Sequence, residues 1–359
     1  VSSSVKGIRF KLSTCILSFV LILLFLNGCK SKLNTSAPLE FSGETMGTTY
    51  SIKLDKEIKG IQFKVDSTLL VMNKIFSTYD STSQISKINY SSRQITCISD
   101  TLLEFINVLN LSKKIFESTN QYFDPTVMPL VNYWGFGPEK LIRDDIDSLT
   151  IDSLLNLVGL MNINWTNIQG NLCVKKHHPN ASIDLSAIAK GYAVDAVARL
   201  LQKLGVQNYM VEIGGEVVAK GLNENNEVWK IGIDQPKSSN DLENRQLQAI
   251  VELKDKALAT SGNYRNFHEI NGEIIGHTIN PKTGRPEINN LLAVSVLADD
   301  CATADGFATG FMAMGYEQAL KIANELEQID AYFIYLDEQK NIKTSYTAGF
   351  EAFLVPIEN

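Results

Sequence analysis

The stretch Ser182-Ile-Asp-Leu-Ser-Ala-Ile-Ala-Lys-Gly-Tyr-Ala-Val-Asp195 joins an apolar, strand-like start to a helical run. Ile188, Tyr192, Val194, Val197, Leu200 and Leu201 form its apolar pattern, and Ser186 is placed to cap the helix. Asp184 stands where the short strand would end. A strand running into a helix leaves free backbone N–H groups and a positive dipole end at the junction. An anion suits that corner. Asp184 beside it can take a proton or a cation, and Lys190 is one turn along. The residues describe a phosphate- or metal-handling corner, and they fit a capped amphipathic helix with an incidental acid about equally well.

Upstream, Ile163 to Val174, broken at Gln169-Gly-Asn171, reads as a hairpin leading into this stretch. Thr48 to Leu54 alternates like a strand entered through Met46-Gly47. Helical spacing runs from about Ile61 to Tyr79, ending in the turn-rich Ser77–Ser83. Asp100 and Thr101 can cap a second helix to about Phe116. The aromatic segment Tyr122–Leu130, followed by Trp134-Gly-Phe-Gly-Pro138, carries prolines and glycines that predict an irregular loop. It suits either the wall of a pocket for a flat ring system or a plug for the core.

Downstream, Tyr209 to Val218 is a strand interrupted by Gly214-Gly215, a pattern of a bulge or a close backbone approach. Trp229–Asp234 and Leu247–Leu253 are further strands. Asn271-Gly272 turns a hairpin that delivers His277 into the loop Asn280-Pro-Lys-Thr-Gly-Arg-Pro286. After a strand at Leu291–Ala298, the small residues of Cys301–Gly310 predict a tightly packed helix with Asp305 and Thr309 on one face. Strands and helices alternate without a regular repeat, so the expected class is α+β with mixed or antiparallel sheets and packed helices.

The chain has 359 residues, 44% of them hydrophobic, and a formal charge of −7, which disfavours nucleic acid as a partner. Lys6, Arg9 and Lys11 precede a mostly apolar run from Leu12 to Leu26, then Asn27-Gly28-Cys29. This layout predicts a lipoprotein signal peptide over 1–28 with lipid on Cys29, or else an uncleaved N-terminal anchor. Either way the body is expected outside the cytoplasm, on the periplasmic side, tethered to the cell membrane. Residues 29–40 form the expected tether and 41–359 the folded domain. Cys97, Cys173 and Cys301 are odd in number without a CxxC spacing, and read as small buried residues. The four histidines lack an HExxH pattern. Asp184, Asp305 and Thr309 are hard oxygen groups that favour Mg²⁺ or Ca²⁺, with a phosphate-bearing substrate completing the site; as isolated residues they read equally as solvated surface.

Several motifs together resemble the ApbE family, the FAD:protein FMN transferases, over nearly all of the mature chain. They are Met46-Gly-Thr48, Ser77-Thr-Tyr79 with Ser83-Gln-Ile-Ser86, Phe123-Asp-Pro-Thr-Val127 with Trp134-Gly-Phe136, and Asp184-Leu-Ser-Ala-Ile-Ala-Lys-Gly-Tyr192. Ile213-Gly-Gly215, Ala259-Thr-Ser-Gly262, His277-Thr-Ile-Asn-Pro-Lys-Thr-Gly284 and Ala304-Asp305 with Ala308-Thr309 follow in order. The resemblance implies a T-fold-related structure of two fused lobes with a flavin nucleotide cleft between them. It implies that Met46, Tyr79, Tyr122, Phe123, Asp124, Asp184, Lys190 and Ile279 line FAD. Mg²⁺ would sit on Asp305, the Thr309 hydroxyl and the Ala187 carbonyl. The implied reaction moves FMN from FAD onto a Ser or Thr hydroxyl of an exported acceptor protein and releases AMP. Asp305 and His277 are the expected catalytic residues, His277 activating the hydroxyl. A lipid-anchored FAD-binding protein, or an FAD pyrophosphatase without transfer activity, is the alternative. One departure stands out: where the family usually has His-x-Ile-Asp-Pro, this chain has Asn280, which cannot ionise but can turn a loop.

Overall fold

The computed structural model describes residues 39–98, 103–139, 146–236, 246–263, 267–270 and 273–356. In chain order the elements are β1 (Leu39–Thr45), β2 (Thr48–Leu54), α1 (Ile61–Phe76), α2 (Gln84–Asn89), β3 (Ile95–Ile98) and α3 (Leu103–Ser118). Next come α4 (Met128–Tyr133), α5 (Ser148–Leu155), β4 (Ile163–Ile168), β5 (Asn171–Lys176) and α6 (Ser186–Lys203). Strands β6 (Tyr209–Ile213), β7 (Glu216–Lys220), β8 (Trp229–Asp234), β9 (Leu247–Leu253) and β10 (Lys256–Gly262) follow. The chain closes with β11 (Phe267–Ile270), β12 (Glu273–Gly276), β13 (Leu291–Ala298), α7 (Cys301–Met314), α8 (Tyr316–Glu325), β14 (Ile329–Leu336), β15 (Ile342–Tyr346) and β16 (Leu354–Val355).

The central sheet has eight strands in the order β1-β2-β6-β7-β10-β13-β14-β15, with neighbouring strands antiparallel. Period-two alternation decides which side each residue faces. Ala257, Ala259, Val294, Val296, Ala331 and Phe333 point into the core beneath the helices. Leu258, Ala293, Leu297, Tyr332 and Ile334 point to the opposite core, under the small sheet β16-β9-β8. Because these strands are covered on both faces, they read as continuous apolar runs such as LLAVSVLA. Every residue of α7 except Thr303 and Thr309 is buried, as expected for a helix packed against the sheet and crossed by α6.

The α+β expectation holds, with local corrections. The Gln169-Gly170 hairpin forms as expected, both residues having positive φ. Leu39 and Glu40, assigned to the tether, are the first residues of β1 and pair with Leu54 and Lys53. Residues 181–185 form no strand: Ile183 exchanges both its backbone bonds with the Asn89 side chain, at 2.8 and 2.7 Å. Helix α6 starts at Ser186 with Leu185 at its N-cap, so Ser186 is not the cap. Gly214-Gly215 is the two-residue turn of the β6–β7 hairpin rather than a bulge, both glycines having positive φ. The segment thought too irregular for an element holds the short helix α4, with Pro129 at its start, where a missing N–H costs no helical bond. The leader, Cys29, Asp100 and Thr101, and the Asn271-Gly272 turn lie outside the described residues.

The cysteine expectation holds for Cys301 and is overturned for the other two. Cys97 and Cys173 lie directly opposite on β3 and β5 and form a disulfide, leaving Cys301 free and buried. Strand register, invisible in cysteine spacing, made the pairing. The bond closes a 76-residue separation, for which the chain-entropy model gives about 4 kcal/mol. Adding reductant, or Cys97→Ser, should therefore lower the thermal midpoint measured by circular dichroism. An unchanged midpoint would show that the staple adds nothing to the folded body.

Candidate active site

Helices α6 and α7 cross at Gly191, and that crossing builds the site. A Cβ at Gly191 would stand 2.7 Å from the Cys301 carbonyl carbon and 2.8 Å from the Asp305 Cβ. The absence of a side chain lets the Gly191 N–H donate to Asp305 Oδ2 at 2.9 Å. In a helix the partner of that N–H is the carbonyl four residues earlier, here Ala187. Asp305 is thereby held beside the turn that carries the Ala187 carbonyl. Four residues on, the Thr309 hydroxyl is 3.4 Å from Ser261 Oγ on β10. Asp195, further along α6, accepts from the N–H groups of Cys301 and Ala302, both at 2.9 Å, and fixes the start of α7.

Lys190 joins this corner through Glu216, with which it forms an ion pair that is buried on the Glu216 side and half-buried on the lysine side. Asp305 is 3% exposed and Glu216 2%. Burial lifts the Asp305 carboxyl above its ordinary value and pushes Glu216 up to about 8. Burial alone would pull Lys190 down, but the charges of Asp305 and Glu216 outweigh it and hold the ammonium above its usual value. One cation thus faces two acids in low dielectric, a set that a further cation completes. Glu216 Oε2 is buried without a hydrogen-bond partner. Sequence reasoning missed Glu216; the available signal was an acid opening the otherwise apolar β7 directly after the double glycine.

Asp184 stands at the mouth of α6. Its Oδ1 accepts from the Ser186 N–H at 2.9 Å and the Ser186 hydroxyl at 2.6 Å, and its own N–H donates to the Pro125 carbonyl at 2.7 Å. Tyr79 lies near it, 63% exposed, its phenol raised by partial burial and by the Asp184 charge. The Tyr79 hydroxyl donates to the Phe136 carbonyl at 3.2 Å, and the Phe136 ring meets the His277 ring edge-on at 6.4 Å. A rim of neighbours runs from Asp184 through Tyr79 and Phe136 to His277, and Asp184 stands at the start of α6, the helix whose Gly191 holds Asp305.

The remaining candidates surround that rim unequally. Tyr122 carries the Lys282 ammonium 4.0 Å above its ring, which ties it to the loop after His277. Ile279 packs with Leu130, Tyr133 and Trp134, whose indole donates to the Gly284 carbonyl at 2.8 Å. Met46 occupies the tip of the β1–β2 turn at φ 51, beside Thr48, which touches Gly214. Phe123 is different: the residue is 2% exposed and packs against α7 near Gly306 and Gly310, so its ring belongs to the core.

Asp124 is buried, and Oδ1 accepts from the Thr126 N–H and hydroxyl at 2.8 and 2.5 Å. Burial outweighs those bonds and lifts its pKa from 3.8 to about 6. The stability this group contributes is therefore complete below its unfolded value and is lost as pH rises through about 6. Ligand-free protein should lose up to about 3 kcal/mol from this source between pH 4 and 7. Asp124→Asn, which keeps the Oδ1 acceptor, should flatten that part of the denaturant-midpoint profile; an identical pH slope would remove Asp124 as its cause.

The sequence matches the ApbE family over residues 46–333. The chain belongs to the ApbE family. It is 39% identical over 339 residues to the FAD:protein FMN transferase of Vibrio cholerae serotype O1, covering 92% of this chain and 96% of that protein. The FAD:protein FMN transferase of Escherichia coli K12 is 32% identical over 346 residues, covering 94% and 96%. Among solved structures, the flavin transferase ApbE from Vibrio cholerae superposes with a TM-score of 0.77 at 35% identity, covering 89% of this chain and all of that one. The apo Pseudomonas stutzeri flavinyl transferase ApbE gives 0.77 at 30%, covering 90% and 98%. The α+β fold with its antiparallel sheets is thus that of the ApbE flavin transferases. Among the described residues no group of three or more His, Cys, Asp or Glu is placed to hold a metal ion. A metal held at the Asp305 corner would therefore have at most two such side chains, the rest of its ligands being hydroxyl, carbonyl or substrate oxygens.

Proposed function

We propose that this ApbE-family protein is a Mg²⁺-dependent flavin transferase that moves FMN from FAD onto a Ser or Thr hydroxyl of another protein. The observation that carries the reading is this arrangement: a charged corner of Asp305, Lys190 and Glu216 against α6, Asp184 at the start of that helix, and a rim from Asp184 through Tyr79 and Phe136 to His277. A dinucleotide has the same polarity, with diphosphate at one part and a flat ring at another. The names of the family relatives, FAD:protein FMN transferases, support the same substrate.

The donor set at the corner suits magnesium. Asp305, the Thr309 hydroxyl and the Ala187 carbonyl are hard oxygens, few enough to leave positions for water and substrate phosphate. When bound, the metal supplies charge neutralisation for the diphosphate. The residues of the chain do the rest. Lys190 places an ammonium beside the phosphates, steadied by Glu216. Asp184 and the Pro125 carbonyl fix the mouth of α6, and Tyr79 with Phe136 flanks the ring side. His277 takes the proton from the acceptor hydroxyl as its oxygen bonds to the FMN phosphorus. The bond from that phosphorus to the AMP oxygen breaks, and AMP departs as the phosphate.

The acceptor is an exported protein, and the enzyme acts outside the cytoplasm from a lipid anchor at Cys29. The Cys97–Cys173 disulfide supports that placement, because such bonds persist in oxidising compartments. Purified protein incubated with FAD, Mg²⁺ and a domain carrying an acceptor Thr should give a flavin-fluorescent band on a denaturing gel and an equal amount of AMP. Yellow protein with neither covalent flavin nor AMP would sink the transfer reading; AMP without covalent flavin would leave a pyrophosphatase.

A further inference from the structure

The segment that carries His277 is closed into a small loop by residues on its far side. Glu287 N–H donates to the Thr278 carbonyl at 2.9 Å, Asn280 N–H to Arg285 at 2.8 Å, and Ile279 bridges Pro286. Gly284, at φ 69, lets the loop turn back. The Asn280 carboxamide is buried inside it. Its Oδ1 accepts from the Lys282 N–H at 2.9 Å, and its Nδ2 donates to Glu287 Oε2 at 2.7 Å. The backbone donor fixes which end of the amide is oxygen, and the carboxylate agrees from the other side.

This changes the meaning of the departure at position 280. Asparagine does turn the loop, as an aspartate would, but it also donates to a carboxylate, which an ionised aspartate cannot do. With Asp at 280 and Glu287 retained, two anions would share one hydrogen-bond contact. The carboxylate that the family resemblance leads one to expect at 280 is here carried by Glu287, across the same contact.

We propose that Glu287 is a positioning residue for His277, acting through the Asn280 carboxamide, and that positions 280 and 287 form an amide–carboxylate pair whose polarity can be reversed. Only the catalytic consequence rests on the transferase reading; the geometric consequence for His277 does not.

The test compares E287A, E287Q, N280D and the double variant N280D/E287Q in the full chain. Two quantities are read: the FMN transfer rate at saturating FAD, and the His277 ring resonances in ¹⁵N-histidine-labelled protein. E287Q keeps an acceptor for Asn280 and should stay within about threefold of the parent rate. N280D and E287A should each lose roughly tenfold and displace the His277 resonances, since each leaves a buried polar group repelled or unpaired. In N280D/E287Q the new amide donates to the new carboxylate, and both readouts should return to near parent values. E287A is informative even where N280D fails to fold, because it introduces no repulsion. A double variant as impaired as N280D alone, or an E287A protein with unmoved His277 resonances, overturns the proposal. If the parent transfers no flavin while the resonances follow the reversal, the transferase reading falls and the positioning role stands.

Discussion

Gly191→Ala is expected to unfold or severely destabilise the body, because both neighbours of the new methyl are short and fixed. The Cys301 carbonyl is α7 backbone held by the Asp195 hydrogen bonds at the start of that helix, and Asp305 Cβ cannot rotate away. Overpacking of this kind costs about 1–3 kcal/mol where side chains can yield. Here the helices themselves must separate, so the upper end, about 3 kcal/mol, is the expected loss. Denaturant unfolding of the two proteins measures it. Separation also breaks the Gly191–Asp305 hydrogen bond, so any folded fraction should bind FAD poorly. A Gly191→Ala protein with parental midpoint and parental FAD affinity would mean that the crossing is not what holds Asp305.

Asp305→Asn should abolish transfer while leaving the body folded. Asparagine can still accept from the Gly191 N–H through its oxygen, whereas alanine would leave that donor and the Lys190 ammonium facing an empty space. The charge, not the shape, is removed. Lys190 and Glu216 remain as a balanced pair, so the ligand-free variant should be as stable as the parent or slightly more so. Catalysis is where the loss appears. If Asp305 is the acid of the magnesium site, its removal withdraws several kcal/mol of charge stabilisation, which corresponds to a fall of at least about a hundredfold in rate. The variant's Mg²⁺ dependence should vanish with it. Parental activity in Asp305→Asn would take Asp305 out of the site; a collapsed midpoint would make its role structural instead.

Much of this architecture was readable in advance. The alternation in β2, the apolar run of β13, the apolar spacing of α1 and α6, and the hairpin at Gln169-Gly170 all come from patterns and turn residues that act locally. The α+β class followed from them, and the ordered motifs led to the family. Local reasoning erred where an apparently local feature had a distant cause. Residues 181–185 look like a strand because apolar and polar residues alternate there, but both backbone bonds of Ile183 go to the Asn89 side chain, more than ninety positions away, and the Asp184 N–H goes to the Pro125 carbonyl. Gly214-Gly215 reads as a bulge or a close backbone approach; the flanks pair as a hairpin, so the glycines turn rather than bulge, and Gly214 does lie close against Thr48.

The sequence by itself determined most of the secondary elements, the fold class and the residues from which a nucleotide site is chosen. The tertiary structure alone decided which groups meet. It set Glu216 against Lys190, paired Cys97 with Cys173, and gave Glu287 to Asn280. The physical reason is that period and propensity act over a few residues, whereas ion pairs, disulfides and buried hydrogen bonds depend on three-dimensional register. Asp184, the acid of the opening stretch, shows both sides. Its place ahead of α6 was visible in the sequence; that Ser186 would bind it, and that Tyr79 would stand beside it, was settled only by folding.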